Sequence, residues 1–215
     1  MDLQSIMINI HTLRNLYSFP HRRSKNYHRL ALYDSFTDTN GTLIQNHTPD
    51  YNPNSIAYTQ ASGHIVINSN HATMDVTGNL SWELDPGLTD YCIDAWVHTG
   101  DTTGLYGIGF QLHFVDLDNY YWLMVLPTAM RIYHRDAGSF ILEVEQAISI
   151  NPDTDYFTRA ISFNNTLTFR FGDDTIKYTA TPLPLKATTA IAYQVRTANT
   201  ATSFTYFDRT KIYEL

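Results

Sequence analysis

Apolar and polar residues alternate with a period of two from about residue 30 to the end of the chain. The alternating segments are separated by Asn, Asp, Gly and Pro, which is the pattern of antiparallel strands joined by turns. The short connections at residues 136–138, 164–165 and 172–174 contain residues that tolerate the positive φ of tight hairpins. Twelve strands are predicted, at residues 30–36, 64–68, 91–99, 106–114, 120–126, 130–135, 140–145, 156–163, 167–171, 175–179, 187–194 and 205–213.

This strand pattern favours an all-β fold, a two-sheet antiparallel sandwich of jelly-roll type. Neither helical periodicity nor a repeat of fixed length follows residue 30, which argues against a solenoid, a propeller or a parallel α/β fold. The single cysteine, Cys92, lies in an apolar strand, so we expect a buried, inert thiol and no disulfide. The polar segment 37–57 is a long loop, which either serves function or wraps a sheet edge. We expect one main domain over residues 30–215.

Residues 1–29 form an N-terminal arm of different character. Apolar residues recur there at gaps of three and four, as on one face of a short amphipathic helix, and Pro20 ends the pattern. A helix this short needs a surface on which to bury its apolar side, either on its own domain, on a sister subunit or on another protein. We predict a docking arm and self-association, the alternative being a solvated linker. The predicted docking residues are Ile6, Ile10, Leu13, Arg22, Arg23 and Lys25.

Charge divides the chain in the same place. Residues 1–29 hold five basic residues and one acidic residue, a net charge of +4, whereas residues 30–215 hold 9 basic and 20 acidic residues, a net charge of −11. An acidic body argues against nucleic acid as a partner. The sequence has no apolar run of the roughly 20 residues that span a bilayer. Its start also lacks the pattern of a secretory signal peptide. We therefore expect no membrane association, and release from a cell by assembly into a particle.

Two stretches resemble the concanavalin A-like, laminin-G-like domains found in bacteriophage virion proteins and in secreted proteins. Residues 36–43, 47–50 and 61–68 are similar to the opening of these domains, with a strand, an Asn-Gly turn, a polar loop and a strand after a glycine. Residues 107–110 and 118–122 are similar to their central hairpin. With a final strand near Phe207, the resemblance covers roughly residues 33–215.

The resemblance implies a jelly roll of two curved sheets that binds carbohydrate or protein on the concave face or at loop tips, and it does not imply catalysis. Glycosidases of this fold place two or three carboxylates in alternation on one strand, so that an acid and a nucleophile flank the scissile bond. The nearest match here is Glu143 and Glu145, where Gln146 follows and a third carboxylate is absent. We therefore expect a protein that is not an enzyme.

Glycan binding requires aromatic platforms beside polar side chains, and the candidates are Tyr120, Tyr121, Trp122 and Tyr133. Because side chains alternate along a strand, Tyr120 and Trp122 share one face and Tyr121 takes the other. One of these two faces must belong to the core. The alternative for each residue is that it fills the space between the sheets.

A calcium site is the one cofactor that the sequence suggests. Asp116, Asp118 and Asn119 offer the oxygen ligands that calcium prefers, and the same residue types are standard in hairpin turns. The histidines are scattered without zinc-like spacing, which favours no other metal.

These observations favour a virion structural protein, such as a phage capsid decoration protein, a head fibre or a tail adaptor, assembled in the host cytoplasm. Its arm would dock on another virion protein and its jelly roll would be displayed outward, where it would contact surface glycans. Two alternatives stay open: a free carbohydrate-binding module and a glycan-degrading jelly-roll enzyme.

Overall fold

A computed structural model describes residues 29–74, 78–100, 105–197 and 205–215. These residues contain sixteen strands and one short 3-10 helix, Ile44–Asn46. The strands are β1 (Arg29–Asp34), β2 (Thr42–Leu43), β3 (Thr59–Ser62), β4 (Ile65–Asn68), β5 (His71–Met74), β6 (Gly78–Leu84), β7 (Tyr91–Thr99), β8 (Leu105–Asp116), β9 (Asn119–Leu126), β10 (Ala129–Asp136), β11 (Ser139–Ala147), β12 (Thr154–Phe163), β13 (Thr166–Phe171), β14 (Asp174–Thr179), β15 (Ile191–Thr197) and β16 (Tyr206–Glu214).

The strands form two antiparallel sheets packed face to face. The nine-stranded sheet has the order β14-β13-β12-β7-β16-β5-β4-β2, with β1 paired to β16, and the seven-stranded sheet has the order β11-β10-β9-β8-β15-β6-β3. Strands β15 and β16, near the end of the chain, pair with much earlier strands. Strand β15 pairs with β6 and β8, and β16 pairs with β1, β5 and β7. The predicted all-β, two-sheet sandwich is confirmed. No helix in the described part of the chain has the length and apolarity needed to cross a membrane.

The core lies between the sheets and is rich in aromatic rings. Trp82 and Tyr193 of the seven-stranded sheet stack at 5.1 Å between ring centroids, and Phe207 of the nine-stranded sheet meets both edge-on, at 5.4 Å and 5.1 Å. All three side chains are fully buried. Burial of a side chain of this size contributes about 1.5–3 kcal/mol.

Each of the twelve predicted segments overlaps an observed strand. The strands that sequence reasoning missed are β2, β3, β5 and β6, which are short, polar or begin with Gly-Asn and so lack a clear alternation. The predicted docking residues of the arm lie outside the described residues. Cys92 is buried in β7, as expected for an inert thiol.

A buried polar network holds the long loop that follows β1. The Asp34 carboxylate, with no exposed surface, accepts hydrogen bonds from Phe36 N at 2.7 Å and from Tyr58 Oη at 2.7 Å, and contacts His47 Nε2 at 2.9 Å. His47 Nδ1 contacts Asp38 Oδ2 at 3.0 Å. Burial alone would lower the pKa of His47, but its hydrogen bonds to Asp34 and Asp38 outweigh burial and raise it. The loop both adds β2 to the edge of the nine-stranded sheet and returns to the seven-stranded sheet, where β3 begins.

Candidate functional site

The candidate site is the front face, defined as the side of the seven-stranded sheet that is turned away from the core. Strand register places its side chains in three rows across the sheet. The first row holds Tyr120, Arg135 and Phe140, with Phe114 beside Tyr120; the second holds Glu83, Ala192, Gln111, Trp122, Tyr133 and Leu142; the third holds Ser81, Gln194, Gly109, Met124, Arg131 and Glu145.

Three of the four aromatic residues predicted from the sequence meet on this face. Trp122 lies next to Tyr133 with ring centroids 6.4 Å apart, and Tyr120 packs in the same apolar cluster. Tyr120 and Trp122 are only 2% and 3% exposed, whereas Tyr133 is partly open to solvent. A ligand on this part of the face would therefore contact Tyr133, with Tyr120 and Trp122 supporting the surface from beneath.

For Tyr121 the structure corrects the prediction. Its side chain points between the sheets, is fully buried and stacks on the His134 ring at 4.7 Å. Burial raises the pKa of its hydroxyl, which keeps the group neutral. The alternation along β9 separated Tyr121 from Tyr120 and Trp122, and its side of the strand is the core side.

Two further aromatic residues belong to the front face and were not predicted. Phe140 at the start of β11 is 48% exposed and lies 5.7 Å from Tyr133 and 6.0 Å from Trp122, centroid to centroid. Phe114 packs against Tyr120 at 5.8 Å. Hydrophobic pattern could not have identified Phe140, because β11 begins with the apolar run Phe140, Ile141 and Leu142, which shows no alternation. Phe140 and Tyr133 together form the accessible aromatic pair.

Glycines in β8 allow this cluster to lie close to the backbone. A Cβ on Gly109, where φ is +159°, would stand 1.9 Å from the Leu123 carbonyl oxygen. A Cβ on Gly107 would stand 2.9 Å from Met124 Cε and 3.4 Å from the Trp122 ring. The two glycines thus let Trp122 and Met124 of β9 lie across the neighbouring strand.

Arginines hold the aromatic rings from the β10 side. Arg131 Nη1 donates to Tyr133 Oη at 3.0 Å and its Nε pairs with Glu145. Arg135 lies over the Phe140 ring at 4.8 Å and pairs with Asp118 at 2.9 Å. Each guanidinium has a carboxylate partner, so this end of the front face is polar and close to neutral in charge.

Glu143 and Glu145, the nearest match to a glycosidase pattern, do not converge. Glu145 is on the front face with Arg131, whereas Glu143 lies 3.9 Å from His134 Nδ1, whose ring stacks on the core residue Tyr121. A shift of register between β10 and β11 separates the two carboxylates.

The centre of the front face contains buried amides. Gln111 and Gln194 are 0% and 1% exposed, and Gln111 Nε2 donates to Gln194 Oε1 at 3.1 Å. Gln111 Oε1 and the indole Nε1 of Trp122 are buried and make no hydrogen bond within the described residues. An unsatisfied acceptor and an unsatisfied donor thus lie on adjacent strands of the same row.

A cavity of about 410 Å³ opens at the other end of the front face. Its wall is formed by residues 54–57 and 83–85, and Phe114, Val115 and Ala190 complete it. The Asn52 side chain clamps the first of these segments, because Nδ2 donates to Ile56 O at 2.6 Å and Oδ1 accepts from Ile56 N at 2.7 Å. One wall of the cavity is therefore held in place by side-chain hydrogen bonds.

A bulge in β8 places Phe114 in this cavity. His113 has a φ of +53°, and its ring turns inward to contact Ser162 Oγ and Thr188 O, both at 2.8 Å. Burial lowers the pKa of His113 to about 4, so the ring is neutral. The next residue, Phe114, consequently faces outward, although Leu112 faces the core. Sequence alternation alone would have placed Leu112 and Phe114 on one face.

The residues proposed for calcium form a hairpin turn instead. Asp116 Oδ1 accepts from Asp118 N at 2.8 Å and from Asn119 Nδ2 at 2.9 Å, and Asp118 pairs with Arg135. A guanidinium on Asp118 opposes a cation there, and Asn119 Oδ1 already accepts from Ala137 N at 3.1 Å. The three residues do not fit a calcium site. No group of three or more His, Cys, Asp or Glu side chains elsewhere in the described ranges is arranged to hold a metal ion.

Comparison with known proteins identifies the fold. No family model matches the sequence, and no curated protein matches it. The CBM2 module of the evolved Dit of Lactobacillus casei BL23 phage J-1 is similar in structure, with a TM-score of 0.56, 12% identity, and coverage of 86% of this chain and 94% of that chain. The exoplasmic/lumenal domain of VIP36 in its Ca²⁺/Man-bound form has a TM-score of 0.53, 13% identity, and coverage of 87% and 92%.

A third similar structure has a TM-score of 0.59. Its description concerns the endo-acting O-glycanases that prominent members of the human gut microbiota express to initiate mucin breakdown. It is 8% identical, with coverage of 87% of this chain and 100% of that chain. At such identities the similarity shows the fold, which is the β-sandwich of lectins and carbohydrate-binding modules.

Proposed function

We propose that the protein is a lectin-like module that binds carbohydrate on its front face. The observation that carries the proposal is the accessible pair of Tyr133 and Phe140, packed over the buried Trp122 and flanked by Arg131 and Glu145. Aromatic rings stack on the apolar faces of sugars, and adjacent polar side chains bind the hydroxyls. Carbohydrate-binding modules and lectins among the similar structures support the same assignment.

A panel of immobilised neutral, amino, uronic and sulfated polysaccharides tests this function by retardation of the full chain in affinity electrophoresis. Phe140→Ala should weaken binding to the retarding polysaccharide by about tenfold, because a stacked ring is lost. Phe163→Ala is the matched control, since Phe163 is 42% exposed at the end of β12 in the other sheet. Equal binding of the two variants would reject the front face as the site, and no retardation by any polysaccharide would reject the function.

The module acts without catalysis in this proposal. Support comes from the separation of Glu143 and Glu145, which do not lie together beside the aromatic surface. Incubation of the protein with the same polysaccharides should release no reducing ends. Release that persists in the double variant Glu143→Gln/Glu145→Gln would place a hydrolytic site elsewhere on the protein, whereas release abolished by these changes would restore the glycosidase interpretation.

We further propose that the module is attached to a phage particle through residues 1–28. The basic arm on an acidic body and the similarity to a phage Dit module support this role. The arm would bind another virion protein by apolar and charge complementarity, with Ile6, Ile10 and Leu13 on its apolar side.

Deletion of residues 1–28 tests the attachment. The truncated body should retain the circular dichroism spectrum and the polysaccharide binding of the full chain, and it should be missing from purified particles. A truncated protein that is incorporated into particles as well as the full chain would contradict the proposal.

A further inference from the structure

The cavity at the end of the front face carries charge of one sign. Glu83 and Asp85 line it, and none of its lining residues is Lys, Arg or His. The Glu83 carboxylate is partly buried and has no hydrogen-bond or ion-pair partner within the described residues, and burial raises its pKa. Partial burial costs a carboxylate some of its hydration, and here no protein donor replaces it. A ligand donor would satisfy this group.

The rest of the cavity offers groups suited to a sugar. Val115, which is 51% exposed, supplies an apolar surface beside the buried Phe114 ring, and Ser55 supplies a hydroxyl on the wall that Asn52 clamps. The Asn54 side chain lies on the same wall, where its Oδ1 accepts from Arg29 Nη2 at 3.5 Å. Its volume of about 410 Å³ falls in the range of small-molecule sites, roughly 300–1,000 Å³.

The cavity and the aromatic surface lie on the same side of the seven-stranded sheet and are linked by one register row. Glu83, Ala192, Gln111 and Trp122 are register partners on four adjacent strands. Gln111 Oε1 and Trp122 Nε1, both buried and without a partner in the described structure, therefore lie between the cavity and the Tyr133–Phe140 pair.

We propose that the cavity is a subsite of the carbohydrate surface that accepts a neutral or amino sugar and excludes uronic and sulfated sugars, a proposal that rests on the proposed function. Sugar hydroxyls or an ammonium group donate to Glu83, and the ring of the sugar packs on the apolar wall that Val115 exposes. An anionic sugar brings a second negative charge to a partly buried carboxylate that has no ion-pair partner within the described residues, so repulsion and desolvation both oppose binding.

The test compares one polysaccharide in two forms. The probes are the neutral polysaccharide that retards the full chain most strongly and its carboxymethylated derivative. The carboxymethylated form should bind the unmodified protein about tenfold more weakly, and Glu83→Gln should remove most of that difference while it retains the shape of the side chain. Asp173→Asn is the control, because it removes the same charge from an exposed turn between β13 and β14.

The outcomes separate this inference from the function beneath it. Equal binding of both forms to the unmodified protein overturns the charge selection and leaves carbohydrate binding intact. The charge selection is also overturned if Asp173→Asn reduces the affinity difference between the two forms as much as Glu83→Gln does. The net charge of the protein would then be the cause. Retardation by no polysaccharide rejects the function itself. Thermal unfolding of Glu83→Gln followed by circular dichroism confirms that the variant is folded, and Asp85→Asn provides a second variant in the same cavity.

Discussion

The back face is the outer side of the nine-stranded sheet. It contains residue types similar to those of the front face, but they are arranged differently. On the back face, Arg159 binds Asp94 through two hydrogen bonds of 2.5 Å and 2.7 Å, and lies over the Phe157 ring at 5.3 Å. His98 contacts Asp155 at 2.7 Å and stacks on Tyr206 at 4.6 Å. These charged and aromatic groups satisfy one another across neighbouring strands.

On the front face, by contrast, Gln111 Oε1, Trp122 Nε1 and the Glu83 carboxylate lack partners in the described structure. The aromatic pair of Tyr133 and Phe140 is accessible beside them. Aromatic and charged residues on a sheet surface are therefore not in themselves the mark of a site. Unsatisfied polar groups beside a cavity distinguish the two faces.

The largest effect is expected from Gly109→Ala. Its Cβ would meet the Leu123 carbonyl oxygen, which belongs to the paired backbone and has little room to move, so the variant should lose about 4 kcal/mol or fail to fold. Gly87→Ala is the control: a Cβ there meets nothing within 4 Å, and its φ of +69° should cost only about 1 kcal/mol. Urea unfolding measures both. Similar losses of stability in the two variants would mean that β8 needs glycine at position 109 for its positive φ and not for the close approach of Leu123.

A smaller but specific effect is expected from Asp34→Asn. The change removes a buried charge that His47, Tyr58 and Phe36 N contact, which should cost about 3 kcal/mol. Because this network holds the loop that reaches the cavity, amide exchange should accelerate in residues 52–58 and not on the back face. Uniform acceleration over both sheets would show that the network stabilises the whole sandwich and not the front face in particular.

Trp96→Ala tests the back face directly. Trp96 is partly exposed, packs on Phe157 at 5.8 Å and lies under Arg209, so its loss should cost about 1–2 kcal/mol of stability. Polysaccharide affinity should be unchanged. A loss of affinity comparable to that of Phe140→Ala would remove the functional difference between the two faces.

The smallest effect is the pH dependence contributed by His47. Its pKa is raised by Asp34 and Asp38, so its protonation contributes stability that is fully present below the unfolded value near 6.5 and is lost as pH rises through the folded value. The stability difference between the unmodified protein and His47→Gln should therefore be largest below about pH 6.5 and shrink as pH rises above it. The lowered pKa of His113 has the opposite effect, because it destabilises the fold as pH falls. Both proteins contain His113, so its contribution cancels in the difference between them. A difference that grows with pH would contradict the raised pKa.

Much of the fold could be predicted because strand signals are local. The alternation of β7 predicted both ends of the strand, Tyr91 and Thr99, correctly, because its polar and apolar positions face different environments. Strand β3, a short polar segment of Thr, Gln, Ala and Ser at a sheet edge, carries no such contrast and was missed. The cavity could not be predicted either, because Glu83 and Phe114 come together only through the pairing of β6 and β8 with β15, which is distant in sequence.

Strand β9 shows where the two kinds of information divide. The sequence by itself determined that Tyr120 and Trp122 point one way and Tyr121 the other, because side chains alternate along any strand. Both sides of β9 are apolar, so hydrophobic pattern did not distinguish core from surface. Only the tertiary structure decided this, because the side of β9 that packs against the nine-stranded sheet depends on how the sheets assemble. That assembly buries Tyr121 in the core and leaves Trp122 beneath the candidate site.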